Sequence, residues 1–304
     1  MVTIDYNKMD YAKLLADFAG DMGTVVKNNS FIIPEEIGTG YFTNLNLSNG
    51  LQCLLCDVTL NQDLYLQQKR SIKEFYILRL DEISTAKTLM VKIDNDYTWE
   101  ESQNRASAFL TSSLFDFAYA LDKDTSIKSI NILIPRKWIN EYLDIKTFEG
   151  ILSKYLELKT AVYNFAPFDV EYRALFNEVM NNRSNDVMRR SITENRIMLM
   201  IEKFLYYLYQ NGEQLSVGEK HKLTESELKR LMEVESYLVK DFSTPPPSIS
   251  YLSKVAAMSA TSLKNKFKKI YGNTLYEYFQ KNRMQRAKTL IMSHKYSIKE
   301  IGSQ

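Results

Sequence analysis

Residues 248–291 have the sequence SISYLSKVAAMSATSLKNKFKKIYGNTLYEYFQKNRMQRAKTLI, and this stretch decides the fold of the carboxy-terminal part of the chain. Two short apolar stripes in it have the three- and four-residue spacing that predicts helices. The segment between them, Ala257-Met258-Ser259, has room only for a tight turn, and Ser259 can cap the second helix. The pattern therefore predicts a helix-turn-helix. The stripes consist of Ile249, Leu252 and Ala256, and of Leu263, Phe267 and Ile270.

The outward positions of the second helix are polar or basic, and none of them is acidic. Phosphates repel carboxylates, whereas Lys and Asn side chains donate hydrogen bonds to base edges and backbone oxygens. The pattern favours a recognition helix for the DNA major groove, although a solvated lysine-rich face is the plainer alternative. These positions are Thr261, Ser262, Lys264, Asn265 and Lys268.

The charge is distributed unevenly along the 304 residues. Residues 245–304 contain eleven Lys and Arg but only Glu277 and Glu300 as acids, a net charge of +9. Residues 1–244 carry a net charge of −7. A basic block at one end of an acidic chain indicates a polyanionic partner there, most simply a nucleic acid.

Residues 225–304 resemble the DNA-binding domain of the AraC/XylS transcription regulators, in which one long helix bridges two helix-turn-helix units. The quoted run carries the resemblance, with Gly272, Tyr278, Arg283, Ala287 and Leu290 at positions that the family pattern marks. The resemblance implies a double-stranded promoter as partner, and RNA polymerase as a further one. It also implies that Thr261, Lys264 and Asn265 meet base edges, and that Ser259 and Lys268 meet phosphate.

Two features depart from the family pattern. The turn usually has glycine where this chain has Ala257, so we expect a left-handed backbone there with a modest strain penalty. The chain ends at Gln304, within what the resemblance makes the first helix of the second unit. There Ser297-Ile298 repeats Ser248-Ile249, and we expect a truncated second unit in which Ile298 and Ile301 lack a partner helix.

A short helix is predicted at Asp10–Met22. From Ser30 to about Pro135 the apolar residues recur with a period of two, which is typical of strands. Ser48-Asn49-Gly50 supplies a tight turn, and candidate strands follow at 51–60, 74–80, 88–93 and 129–134. The pattern predicts a small antiparallel β-barrel or sandwich, and hence an α+β chain. Gly38–Leu66 loosely resembles the sensor domain of the siderophore-responsive branch of the same family, which implies a cupin-like receptor for a small-molecule effector.

A helical extension follows the β-rich part. Helices are predicted after Thr147 and after Pro167, then a long one that opens at Ser184 or Asp186 and ends at Asn211-Gly212. Its apolar stripe is either a dimer-forming face, which we favour, or an internal packing face. The polar stretch 213–224 is the candidate linker, and a helix at 225–240 follows it. We therefore divide the chain into a sensor (1–165), a helical dimerisation and linker region (166–224) and a DNA-binding domain (225–304). The stripe consists of Ile197, Ile201, Phe204, Leu205 and Leu208.

The residue inventory argues against a metal or cofactor site. Cys53 and Cys56 form a C-x-x-C inside a predicted strand, where residues three apart face opposite sides. The two histidines, His221 and His294, lie outside the β region, so no imidazole can bind a metal there. The aromatic residues of the strands either line an effector pocket or, as we favour for each one, fill the core. These are Tyr41, Phe75, Tyr76, Tyr97 and Trp99.

The leading hypothesis is a cytoplasmic, homodimeric transcription regulator that is not an enzyme, has no cofactor and responds to a small-molecule effector. No stretch approaches the roughly 18–20 apolar residues of a membrane span, and no membrane partner is expected. One alternative is a cupin-like enzyme with a nucleic-acid-binding tail. Another is a truncated dimerisation partner that binds little DNA itself.

Overall fold

The computed structural model describes residues 2–6, 10–71, 73–86, 89–93, 96–100, 104–113, 115–143, 166–181, 188–215, 225–271, 273–292 and 296–302. The chain forms two compact units. The first comprises residues 1–166 and 175–219, and the second comprises residues 167–174 and 220–304. The β-sheets belong to the amino-terminal part and the carboxy-terminal part is helical, so the chain has the expected α+β architecture.

The described strands of the first unit form two sheets. The five-stranded sheet has the order β1 (Val2–Tyr6), β5 (Leu64–Gln68), β10 (Phe117–Leu121), β7 (Leu89–Ile93) and β8 (Asp96–Glu100). The seven-stranded sheet has the order β12 (Ala166–Pro167), β9 (Asn104–Ser112), β6 (Phe75–Ser84), β11 (Ser126–Pro135), β4 (Gln52–Leu60), β3 (Gly38–Asn46) and β2 (Ser30–Ile32).

One strand pair corrects the expectation of a purely antiparallel sheet. β1 pairs with β5 in parallel, with Val2 opposite Leu64. A parallel pair needs a long crossover connection, and here α1 (Tyr11–Asp21) and three strands lie between the two partners. The other large pairs are antiparallel, including β3 with β4 across the predicted Ser48–Gly50 turn.

The Gly38-x-Gly40 motif is explained by the close approach of β3 to β4. A Cβ on Gly40 would lie 1.9 Å from the carbonyl oxygen of Asp57, and one on Gly38 would lie 2.2 Å from that of Thr59. Gly40 also has φ +122°, a conformation that side-chain-bearing residues rarely adopt. The two glycines therefore allow β3 to pair closely with β4. They are followed by the rest of a strand and not by a helix, so they do not form a phosphate-binding loop.

The helices described in the first unit, besides α1, are α2 (Arg136–Tyr142), most of α3 (Val170–Met180) and α4 (Arg189–Leu215). The predicted end of the long helix at Asn211-Gly212 is wrong, because α4 continues to Leu215. An interior glycine costs only about 1 kcal/mol in a helix, which does not by itself terminate one. The helix predicted after Thr147, the openings at Ser184 or Asp186 and linker residues 216–224 lie outside the described residues.

The predicted apolar stripe of α4 is an internal packing face, which corrects the dimer-forming interpretation of that face. Ile197, Ile201, Phe204 and Leu208 are 0–2% exposed, and only Leu205 is half-buried. Ile201 and Phe204 line a cavity of about 10 Å³ together with Trp138 of α2 and residues of the seven-stranded sheet. The helix is thus held against the sheet by the residues that were candidates for dimerisation.

The second unit contains α5 (Glu225–Val239), α6 (Ile249–Val255), α7 (Ala260–Tyr271), α8 (Leu275–Met292) and α9 (Ile298–Gly302). These bounds agree with the helices expected from the sequence. Their core includes Leu231 and Val234 of α5, Leu263 and Phe267 of α7, and Tyr278 of α8. Burial of these apolar side chains is what fixes the short helices against one another.

Residues 167–174 belong to the second unit through a buried polar network. Arg173 Nη2 lies 2.7 Å from Glu235 Oε1, and the Tyr278 hydroxyl lies 2.7 Å both from that oxygen and from the carbonyl oxygen of Phe168. Glu235 is 1% exposed, so this carboxylate depends on these partners. The sequence-based division had placed these residues in the helical region 166–224.

Candidate nucleic-acid interface and interior cavity

The helix-turn-helix is built from two capped helices. Ser248 Oγ accepts a hydrogen bond from the backbone N–H of Tyr251 at 3.2 Å and begins α6. Ser259 Oγ accepts one from the N–H of Ser262 at 3.2 Å and begins α7, as the sequence predicted. Each cap satisfies a backbone donor that the first turn of a helix leaves unpaired.

The turn between them passes through a left-handed residue. Ala257 has φ +47°, which confirms the expectation drawn from the missing glycine. Its N–H donates to the carbonyl of Lys254 at 3.1 Å, and that of Met258 donates to Ser253 at 3.1 Å, which closes α6. The left-handed conformation lets α7 leave the turn at an angle to α6, at a steric cost that glycine would avoid.

The outward face of α7 contains the residues expected to bind DNA. Ser259, Thr261, Lys264, Asn265 and Lys268 are exposed, and Ser262 is half-buried. The face is oriented by Leu263 and Phe267, which are 0% exposed on the opposite side. Lys266, which lies between Lys264 and Lys268 in the sequence, forms an ion pair with Glu227 of α5 and so helps to hold α7 against α5.

The Ser-Ile repeat is a repeated helix start. Ser297 begins α9 as Ser248 begins α6, and Ser297 also exchanges hydrogen bonds with Glu300, whose N–H donates to Ser297 Oγ at 3.3 Å. Ile298 is 84% exposed and Ile301 is half-buried.

A cavity of about 60 Å³ lies inside the first unit, between the two sheets and beneath α1. That volume accommodates a few water molecules or a very small solute. Its wall is mostly apolar, with a polar section where side chains of β6, β10 and β11 converge. The wall includes Tyr11, Leu14 and Phe18 of α1, Phe42, Leu54, Cys56, Val58, Ile83 and Ile127 of one sheet, Leu64, Leu66, Phe117 and Leu121 of the other, and the polar Arg79, Asp81, Tyr119, Ser129 and Asn131.

Arg79 is the centre of the polar section. It is 4% exposed and donates to Gln68 Oε1 at 2.7 Å, to Asn131 Oδ1 at 3.0 Å and to Thr111 Oγ1 at 3.2 Å. Its guanidinium carbon lies 4.4 Å from the ring centroid of Phe117. These contacts compensate the cost of burying a cation.

Asp81 is a buried carboxyl group on the same face of β6 as Arg79. It is 2% exposed and accepts a hydrogen bond from the Tyr119 hydroxyl at 2.7 Å. Sequence analysis missed Arg79 and Asp81, although FYILRLDEI has a detectable signal: two charged residues two apart inside an apolar strand. Such a pair must face one side of the sheet together.

Of the strand aromatics singled out from the sequence, those whose side chains the structure describes are not among the residues of this wall. Phe75 and Tyr76 are buried elsewhere, Tyr41 is half-buried, and the side chains of Tyr97 and Trp99 lie outside the described residues. Tyr76 lines the smaller cavity beside α4, and burial raises the pKa of its hydroxyl.

The cysteines occupy β4 as free, buried thiols. Burial raises the pKa of both Cys53 and Cys56, and for Cys56 the nearby Asp81 and Asp57 add to the effect. A thiol held in its neutral form is a poor nucleophile and a poor metal ligand. Within the described part of the chain, no three His, Cys, Asp or Glu side chains are grouped so as to hold a metal ion.

None of the helices in the described ranges combines the length and the apolar character needed to cross a bilayer.

Comparison with known proteins gives distant structural likenesses. No protein-family profile matches the chain. No curated protein matches it either. Among solved structures, ToxT from Vibrio cholerae is 16% identical with a TM-score of 0.24, over 79% of this chain and 86% of ToxT. An HTH_3 family transcriptional regulator from Vibrio cholerae is 12% identical with a TM-score of 0.24, over 41% of this chain and 60% of that one.

A third likeness is confined to less than half of the chain. A point mutant of Bacillus subtilis oxalate decarboxylase OxdC is 9% identical with a TM-score of 0.22, over 44% of this chain and 37% of the decarboxylase. With TM-scores this low, none of these likenesses assigns an activity to the chain.

Proposed function

We propose that this protein is a sequence-specific DNA-binding transcription regulator of the AraC/XylS type, controlled by a small effector. The observation that carries the proposal is the outward face of α7. A capped helix, fixed by Leu263 and Phe267, exposes Thr261, Lys264 and Asn265 and no carboxylate. A helix presented in this way suits the major groove, where Lys and Asn bind base edges.

Effector control is assigned to the first unit. The cavity between the sheets combines an apolar wall with the convergent polar groups of Arg79, Asp81 and Tyr119, the composition of small-molecule sites. An effector that binds one conformation of this unit more tightly than another shifts the population towards the tightly binding conformation. The ratio of its two affinities sets the size of the shift, and hence the change in DNA binding. The working form is a cytoplasmic homodimer that recruits RNA polymerase and has no enzymatic role.

The DNA part is tested with duplexes selected from a random library by the intact chain. Lys264→Ala should weaken binding to the selected site by about 1–3 kcal/mol and flatten the preference for it, since a base contact is lost. Lys268→Ala should weaken selected and random duplexes alike and lower the salt slope by about one unit, since a phosphate contact is lost.

Lys13→Ala is the matched control, because Lys13 is an exposed lysine of the first unit. Fluorescence anisotropy over a range of salt concentrations measures all three variants. Equal losses on selected and random DNA for Lys264→Ala would contradict base recognition by this residue.

The effector part is tested by thermal denaturation of the whole chain with solutes small enough for the cavity, such as short carboxylic acids and small polyols. A ligand of the folded state raises the unfolding midpoint by mass action. The same ligand should lose its effect on Arg79→Met, and retention of the full shift by that variant would place the ligand outside the cavity.

A further inference from the structure

The polar section of the cavity wall presents an open hydrogen-bond acceptor. Asp81 lines the cavity and is 2% exposed. The Tyr119 hydroxyl donates to Asp81 Oδ2 at 2.7 Å, and no residue in the described ranges donates to the other carboxylate oxygen, Oδ1. A buried carboxylate oxygen without a donor costs free energy, so the wall favours a bound molecule that supplies a donor.

The donors of the same wall are engaged within the protein. The three hydrogen bonds of Arg79 described above all go to side-chain oxygens. The amide nitrogen of Asn131 donates to Ser129 Oγ at 2.7 Å. A ligand in the cavity therefore meets an acceptor in Asp81, whereas the donors around it already have partners.

The polar section is also balanced in charge. Arg79 and Asp81 lie two residues apart on one face of β6 and carry opposite charges. A charged ligand would bring an uncompensated charge into a buried site, which costs far more than burying a neutral hydroxyl that finds an acceptor. The pair thus selects against small anions and small cations alike.

The rest of the site limits the size and polarity of the ligand. Ile83 follows Asp81 on the same face of β6, and Ile127 of β11 lies opposite Ile83 in the strand register. Both isoleucines line the cavity. Its volume of about 60 Å³ is well below the roughly 150 Å³ of a cavity that binds benzene, which leaves room for about four non-hydrogen atoms.

We infer that the cavity binds a small neutral alcohol, whose hydroxyl donates to Asp81 Oδ1 and whose carbon atoms contact Ile83 and Ile127. This inference rests on the effector site in the proposed function and names the chemical class of its ligand. A ketone of the same shape lacks the donor, and a carboxylate or an amine of the same size adds a charge.

Four probes of about the same shape, each with four non-hydrogen atoms, test the class. They are propan-2-ol, acetone, acetate and isopropylammonium. Each is titrated at millimolar concentrations into the full-length protein, with the isoleucine methyl groups followed by NMR. Propan-2-ol should shift the methyl resonances of Ile83 and Ile127 in a saturable manner and leave those of Ile249 in the second unit unchanged. It should bind about tenfold more tightly than acetone, because only the alcohol donates to the carboxylate.

The ranking of the probes on the parent protein decides the class without any variant. Absence of a saturable shift with propan-2-ol overturns the inference. Equal affinity for acetone overturns the hydrogen bond to Asp81, and tighter binding of acetate or isopropylammonium overturns the selection of a neutral ligand.

Asp81→Asn tests the role of the carboxylate directly. The new amide oxygen can still accept from Tyr119, and the amide nitrogen then turns a donor towards the cavity. The preference for propan-2-ol over acetone should fall from about tenfold to about one or below. A merely structural role of Asp81 would weaken both probes alike, and an unchanged preference would overturn the assignment.

Asp57→Asn is the matched control. Asp57 lies in β4 between Cys56 and Val58, which line the cavity, so its side chain projects from the other face of the sheet. This variant removes the same charge and should keep the preference for the alcohol.

DNA binding reports separately on the proposed function. The anisotropy of a selected duplex with the full-length protein is measured with and without saturating propan-2-ol. A bound alcohol that leaves DNA binding unchanged would contradict effector control and leave the ligand class standing. Effector control by a charged ligand of the same cavity would support the proposed function and overturn the class.

Discussion

At the scale of single residues, Ala257 is the clearest point of strain in the helix-turn-helix. Its φ of +47° places its Cβ where L-residues other than Asn and Asp are disfavoured, by about 1–2 kcal/mol. Its side chain is exposed, so no packing is lost when it is removed. We expect Ala257→Gly to raise the free energy of unfolding of the second unit by about 1 kcal/mol, measured by denaturant unfolding.

The neighbouring alanine is the matched control for that substitution. Ala256 has φ −71° and is 0% exposed in the core of the second unit. Ala256→Gly should destabilise, because it removes a buried methyl group and adds backbone entropy to the unfolded chain. Destabilisation by both substitutions would show that the left-handed turn carries no recoverable strain.

At the scale of elements, the start of α8 is a reciprocal cap. The N–H of Thr274 donates to Glu277 Oε2 at 2.9 Å, and the N–H of Glu277 donates to Thr274 Oγ1 at 3.3 Å. Hydrogen bonds from the Thr274 backbone and hydroxyl lower the pKa of Glu277 below its ordinary value. A carboxylate whose pKa is lower in the folded than in the unfolded chain stabilises the folded state at pH values above its unfolded-state pKa. This contribution is lost as the pH falls through its folded-state pKa.

We expect Glu277→Gln to lower the free energy of unfolding of the second unit at neutral pH. The difference in this free energy between the variant and the parent should shrink as the pH falls below the ordinary range of glutamate pKa values. Urea denaturation at a series of pH values measures it. Thr274→Ser keeps the hydroxyl cap and should keep the pH dependence. A constant difference at all pH values would mean that the charge of Glu277 is irrelevant to the cap.

At the scale of the whole molecule, the chain has two separate cores. Leu80 of β6 is 0% exposed in the first unit, and Leu263 of α7 is 0% exposed in the second. We expect calorimetry to show two unfolding transitions, because each compact unit buries its own apolar side chains. Leu80→Ala should lower the midpoint temperature of one transition, and Leu263→Ala should lower that of the other. Each truncation should reduce the free energy of unfolding of its own unit by about 2–5 kcal/mol.

The two leucine variants act as controls for each other. A shift of both transitions by either substitution would show that the units unfold as one cooperative body.

The sequence by itself determined the local architecture of the DNA-binding part. The cap at Ser259, the left-handed turn at Ala257 and the inward Leu263 and Phe267 were all predicted. Each depends on residues within one or two turns of each other, where hydrogen-bond geometry and helical period leave few alternatives. The α+β class followed in the same way from the change of period along the chain.

Only the tertiary structure decided what depends on distant partners. The parallel pairing of β1 with β5, the docking of Arg173 on Glu235 and the placing of Arg79 and Asp81 on the cavity wall join segments far apart in the chain. Helix α4 has apolar residues on two sides, so its period could not say which side is buried. Burial is a property of the whole packed unit, and many pairings of distant segments satisfy the same local pattern until one core is formed.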